Sequence, residues 1–166
     1  MRYRLYRPDD FDSLYTIEEA CFDPPLRFPR GYMRRLVGST RSATWLAEDG
    51  SNLAGFAIVE WLRGASTGIA YIETLEVAPG RRGQGIGREL LALLEGSARA
   101  AGAHTIWLHV DDANTPALHL YEAQMYELKG REENFYGQGR PARIYSKPLL
   151  AADSPAPDSR AMNSGA

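Results

Sequence analysis

The residues with the clearest chemical content lie between positions 75 and 88, where Leu75-Glu76-Val77-Ala78-Pro79 runs into Gly80-Arg81-Arg82-Gly83-Gln84-Gly85-Ile86-Gly87-Arg88. A strand-like stretch ends, a short basic and glycine-rich loop follows, and a helical pattern begins. The first N–H groups of a helix have no partners inside it and carry the positive end of its dipole. Glycine lets the backbone approach a ligand closely and adopt turns that side chains forbid. Arg81, Arg82 and Arg88 add positive charge, so the arrangement suits a pyrophosphate. Two familiar phosphate loops do not fit. A Walker loop needs Lys-Ser/Thr after its last glycine, and Arg88-Glu89 stands there. A dinucleotide fingerprint needs G-x-G-x-x-G, whereas Gly83, Gly85 and Gly87 give G-x-G-x-G, with several strand-like segments ahead of them.

A loop of this kind needs a strand before it and a helix after it, and the surrounding sequence predicts both. Residues 69–77 read as the third strand of an antiparallel meander with 43–48 and 53–62, the first turn lying at Asp49-Gly50-Ser51-Asn52. Residues 87–101 read as an amphipathic helix, its apolar stripe being Leu90, Leu91, Leu94, Ala98 and Ala101, stopped by Gly102. Upstream, residues 2–7 read as an opening strand. A helix capped by Asp9 or Asp10 then runs to about Cys21, and a shorter one covers about 29–38. Downstream come a strand at 105–110, a helix starting at Asn114-Thr115-Pro116, and two strands near 125–136 and 141–149. The order β-α-α-β-β-β-α-β-α-β-β implies one mixed-sheet α+β or α/β domain over 1–150. Residues 151–166 have no periodicity and read as a disordered tail.

Bulk properties exclude some classes. The 166 residues carry a formal net charge of -2, so there is no global basic field for nucleic acid. Cys21 is the only cysteine, which removes an internal disulfide, makes a cysteine-based metal site unexpected and fits a reducing compartment. It reads as a small buried side chain rather than a nucleophile. The N-terminal Met1-Arg2-Tyr3-Arg4 stretch lacks the apolar core of a signal peptide, and no apolar run approaches the ~20 residues that cross a bilayer. The expectation is a cytoplasmic protein with no membrane or metal partner, as a monomer or homodimer.

The hexapeptide Arg82-Gly83-Gln84-Gly85-Ile86-Gly87, placed between the strand ending at Val77 and the amphipathic helix, resembles the CoA-binding motif Q/R-x-x-G-x-G/A of the GNAT (GCN5-related N-acetyltransferase) superfamily. A second segment, Asn114-Thr115-Pro116-Ala117-Leu118-His119-Leu120-Tyr121-Glu122, is similar to the N-x-x-A-x-x-x-Y-E run of RimI-type and other protein N-terminal acetyltransferases. The resemblance covers about residues 43–148 and is clearest over 71–122. It implies the GNAT fold and acetyl-CoA as co-substrate. Main-chain groups of the strand Leu75-Glu76-Val77 would pair with the pantetheine arm. Amides of residues 82–88 (Arg82, Gly83, Gln84, Gly85, Ile86, Gly87, Arg88) would hold the pyrophosphate, and Asn114 would contact CoA.

The same resemblance makes Tyr121 the acid beside the thioester sulfur. On the amine side, an ammonium is not nucleophilic and needs a base or an ordered water. His109, in Leu108-His109-Val110, stands where RimI proteins carry glutamate. Some N-terminal acetyltransferases have histidine there, together with a fourth-strand tyrosine that Tyr71 matches. A Tyr71–His109 pair is the leading candidate, because histidine titrates near neutrality. Glu73 is the second, taken by period-two alternation to share a face with Tyr71 and Leu75. The acceptor is expected between Cys21-Phe22-Asp23-Pro24-Pro25-Leu26-Arg27 and the hairpin Glu133-Asn134-Phe135-Tyr136-Gly137-Gln138, where Phe135 replaces a tyrosine of the related N-Y-Y hairpin. Phe22, Leu26, Thr74 and Tyr136 are the expected substrate-binding residues. The implied reaction is acetyl transfer to a protein or peptide N-terminus. A small-molecule amine as acceptor, or a module that senses acyl-CoA without turnover, stands as the alternative.

Overall fold

A computed structural model describes residues 1–62 and 68–150. The disordered tail expected at 151–166 lies outside the described residues. Among the described residues seven strands form one sheet: β1 (Arg2–Leu5), β2 (Ser42–Asp49), β3 (Asn52–Trp61), β4 (Ile69–Val77), β5 (Thr105–Asp111), β6 (Glu127–Glu132) and β7 (Ala142–Pro148). Their spatial order is β1-β2-β3-β4-β5-β7-β6. Every neighbouring pair is antiparallel except β4 and β5. Of the described residues, four α-helices cover it: α1 (Phe11–Cys21), α2 (Arg30–Gly38), α3 (Ile86–Ala100) and α4 (Thr115–Ala123). This is the mixed α/β architecture and element order expected from the sequence.

The sheet separates two apolar cores. On one face Phe11, Leu14 and Ile17 of α1 and Met33 and Leu36 of α2 pack on Leu46, Phe56 and Ile58. On the other, Leu90, Leu91, Leu94 and Ala98 of α3 and Leu118 and Tyr121 of α4 pack on Ala57, Val59, Ala70, Ile72, Ile106 and Leu108. Burying a leucine completely contributes about 2 kcal/mol. The two covered faces explain why β3 reads as an almost unbroken apolar run rather than an alternation. Among the described residues no helix is long and apolar enough to cross a membrane.

Several local expectations shift. Asp10 does not cap α1 with its side chain. Its carboxylate turns back to accept from Arg7 N at 2.7 Å and from both terminal nitrogens of Arg4. Ala101 is exposed and ends α3 rather than joining its apolar stripe. Gly102, at φ +89°, closes that helix as expected, with Ala103 N donating back to Ala98 O. The strand expected over 125–136 shrinks to Glu127–Glu132, because Met125 and Asn134 both take positive φ and make turns at either end. Asn114 does cap α4, accepting from Ala117 N at 3.3 Å.

Candidate active site

The cleft begins where two parallel strands stop pairing. β4 and β5 are in register only over Ile69–Tyr71 and Thr105–Trp107, then part. Beyond that point the β5-side edge of β4 is free. Ala78 N donates to Ala54 O of β3, so by alternation the main-chain groups of Leu75 and Val77 face the open side. Val77 O there accepts from Arg82 Nε at 3.2 Å and from the Cys21 thiol at 3.6 Å. The strand edge expected to meet a pantetheine arm is thus open, with Arg82 folded across one of its carbonyls.

A bulge in β4 resets which side chains face the cleft. Ile58 pairs with Thr74 and Val59 with Ile72, leaving Glu73 as the extra residue. Glu73 accordingly does not share a face with Leu75, contrary to simple alternation. Leu75 and Val77 pack on the α3 side. Glu73 turns toward α2, where Tyr32 OH donates to its carboxylate at 3.2 Å. Burial, then the neighbouring Glu60, raises the Glu73 carboxyl above its usual range. Thr74 commits its hydroxyl to Glu76 at 2.7 Å. The Glu76 carboxyl is buried and raised by desolvation and by the facing Glu18.

At the point of divergence Tyr71 and His109 meet, the phenol oxygen lying 2.8 Å from Nδ1. His109 belongs to the alternating β5 set Thr105, Trp107, His109 and Asp111, which points away from the core holding Ile106, Leu108 and Val110. Its Nε2 lies 2.8 Å from Glu132 Oε2, and Phe135 stacks on its ring at 4.1 Å between centroids. Neither contact was expected. The sequence does not reveal that β7 inserts between β5 and β6, so nothing in it brings Glu132 to His109. Burial and Glu73 push the Tyr71 phenol upward.

Two cavities meet at Tyr121, and His109 lines the smaller of them. One, of about 610 Å³, runs along Leu75–Val77, the glycine loop and the start of α4. The other, of about 110 Å³, lies between the α1–α2 loop and the β6–β7 loop. Tyr121, with Phe22, Leu75, Asn114 and Ala117, lines both. The Tyr121 ring is 6% exposed, set edge-on to Tyr126, and burial, then Tyr71, raises its phenol. The smaller cavity holds the expected Phe22, Leu26, Thr74 and Tyr136. It also contains two residues the sequence reading did not single out, Phe28 and Glu18. Glu18 Oε1 accepts from Phe28 N at 2.7 Å, which ties the α1–α2 loop to α1. The opposite wall is clamped by ion pairs from Arg140 to Asp111 and from Arg143 to Asp112.

The larger cavity fits a CoA pyrophosphate on two observations. Gly83 and Gly85 have φ of +74° and +80°, values that favour glycine. Among the described residues, the N–H groups of 82–88 have no assigned main-chain acceptor, whereas Arg81 N and Glu89 N donate to Ala78 O and Gly85 O. A bare amide cradle opens α3. Of its expected members, Ile86 buries its side chain in the core and Gln84 is exposed outside the lining. Arg88 is exposed beside Glu89, while Arg81 is paired at 2.5 Å with Asp49 of the β2–β3 hairpin. Cys21 lines the groove, its thiol pushed up to about 11 by burial and by Glu76, which matches an unreactive side chain. No group of three or more His, Cys, Asp or Glu is disposed to hold a metal among the described residues.

Comparison with known proteins agrees with this geometry. A family model described as the acetyltransferase (GNAT) family matches residues 11–125. Streptothricin acetyltransferase of Streptomyces lavendulae is 39% identical over 97 residues, 58% of this chain, and the match spans only half the length of that protein. The ribosomal protein bS18-alanine N-acetyltransferase of Haemophilus ducreyi is 29% identical over 76% of this chain and 83% of its own. The crystal structure of the ribosomal-protein-S18-alanine N-acetyltransferase from Escherichia coli superposes with a TM-score of 0.78 at 22% identity, covering 95% of this chain and 97% of that one. The chain belongs to the acetyltransferase (GNAT) family and is an acetyl-CoA-dependent N-acetyltransferase.

Proposed function

We propose that the protein moves the acetyl group of acetyl-CoA onto the α-amino group of a protein or peptide N-terminus, by direct attack. The observation that carries the reading is the 2.8 Å Tyr71–His109 contact, with His109 lining the smaller cavity. Acetyl-CoA supplies the activated thioester. The amide cradle of 82–88 and the free β4 edge bind and orient it. His109 Nδ1, through the Tyr71 hydroxyl, takes the proton that an attacking amine must lose. Tyr121 is a phenol, protonated at neutral pH and raised further by burial, and it holds that proton where the sulfur departs. A thiol has pKa about 8.5, so the leaving group needs only modest help. Glu73 is a second base candidate, already hydrogen bonded to Tyr32.

The small cavity favours an amine presented end-on, with a short side chain against Phe22, Leu26, Phe28 and Tyr136. A second reading, a small-molecule amine, is favoured by the 39% identity to streptothricin acetyltransferase. The test is thiol release from acetyl-CoA with two panels: peptides with free or blocked N-termini, and small amines including streptothricin. Free N-terminal peptides are expected to turn over and blocked ones not. Turnover confined to the small amines would select the second reading, and release indifferent to any acceptor would refute both.

A further inference from the structure

His109 is engaged on both ring nitrogens. Nδ1 faces the Tyr71 hydroxyl at 2.8 Å and Nε2 faces Glu132 Oε2 at 2.8 Å. A carboxylate only accepts hydrogen bonds, so in a neutral imidazole Nε2 must carry the hydrogen. Nδ1 is then left with its lone pair, and the Tyr71 hydroxyl donates to it. Glu60 and Glu73, Asp111 and Tyr136 line the cavities that His109 faces. Among the described residues only Tyr71 and Glu132 hydrogen bond to its side chain. Phe135, parallel to the ring within 7°, prevents it from turning. Glu132 stands on the edge strand β6 with 52% of its side chain exposed, so its carboxylate joins the imidazole to solvent.

We propose that Glu132 is the positioning residue of this site: it selects the Nε2–H tautomer of His109 and thereby leaves Nδ1 free as base toward Tyr71. The inference rests on the base role assigned to His109 above. A proton leaving the amine passes to the Tyr71 oxygen as Tyr71 gives its own to Nδ1. The resulting imidazolium is held by the Glu132 carboxylate, which keeps Nε2–H in place, and the Nδ1 proton then leaves to water by way of the Tyr71 hydroxyl, which restores the Nε2–H starting state. Glu132 touches neither amine nor thioester and acts through His109.

Glu132 is exposed on an edge strand, so its replacement leaves the fold standing. In Glu132→Ala, nitrogen-15 NMR of labelled histidine in the free protein is expected to show His109 passing from the Nε2–H tautomer to a mixture. The same variant should lose about tenfold or more in kcat with the KM for acetyl-CoA unchanged. Glu127→Ala on the same strand, which removes only an exposed pair with Lys129, should change neither. A wild-type His109 that is not Nε2–H, an unshifted tautomer in Glu132→Ala, an unchanged kcat, or an equal effect from Glu127→Ala would each overturn the proposal. Failure of the base role itself is separable, because His109→Ala would then retain turnover while the tautomer result stood.

Discussion

At the scale of the single residue, Tyr121 sits where a core side chain and a chemical group coincide. Its ring belongs to the α4 face that also buries Leu118, and Tyr126 fixes it edge-on at 5.5 Å. It nevertheless lines both cavities, so replacing only the hydroxyl separates the two roles. Tyr121→Phe is expected to leave the fold and acetyl-CoA affinity in place and to lower kcat by about 10²-fold or more, as loss of a positioned acid does. Steady-state kinetics beside calorimetric binding checks this, and an unaltered kcat would remove Tyr121 from the reaction. The residue type and its place in Asn114–Glu122 were legible in the sequence because helical spacing fixes what shares a face. Glu132 and the Phe135 stack were not, because they meet His109 through strand order rather than spacing.

At the scale of the element, the glycine loop and the β4 bulge do the positioning. The loop could be read directly, because positive φ, a helix N-terminus and close approach all demand glycine in a pattern that depends on neighbours alone. Gly85 has open space around its α-carbon but φ of +80°, so a side chain is admitted sterically and strained conformationally. That strain is about 1 kcal/mol. Gly85→Glu adds a carboxylate to the amide cradle as well. It is expected to reduce acetyl-CoA affinity by at least tenfold, measured by calorimetry, while the circular dichroism spectrum stays native. Retained affinity would show that the pyrophosphate binds elsewhere. The bulge escaped the sequence reading because an extra residue in a strand leaves the same apolar and polar letters in place. Only the register with β3 shows that Glu73 is the residue left over.

At the scale of the whole molecule, the sheet is closed on both sides, and the α1–β4 contact traps Glu18 and Glu76 together, at 1% and 3% exposure. Desolvation, then the facing Glu18, holds the Glu76 carboxyl protonated well above the usual carboxylate range. The folded protein therefore binds this proton more tightly than the unfolded chain does. The stability that results is fully present below about pH 4.5 and is lost as the pH rises through the folded-state value. Glu76→Gln removes the titration. Its melting temperature relative to wild type is expected to rise between about pH 5 and about pH 8, followed by thermal melts across buffers. A difference independent of pH would mean that Glu76 is not held protonated.

What the sequence determined by itself was local. Glycine and proline placement and the apolar periodicity of α3 act over one turn or one strand, and they fixed the element order and the amide cradle, while the candidates Tyr71, His109 and Tyr121 came from the resemblance to a known family. Tertiary structure alone decided the rest. The parting of β4 from β5 after three paired residues, the seating of β7 between β5 and β6, and the Glu18–Glu76 contact between α1 and β4 all join groups far apart in the chain. Such pairings are set by which faces bury the most apolar surface together, and that quantity belongs to the assembled fold rather than to any window of residues.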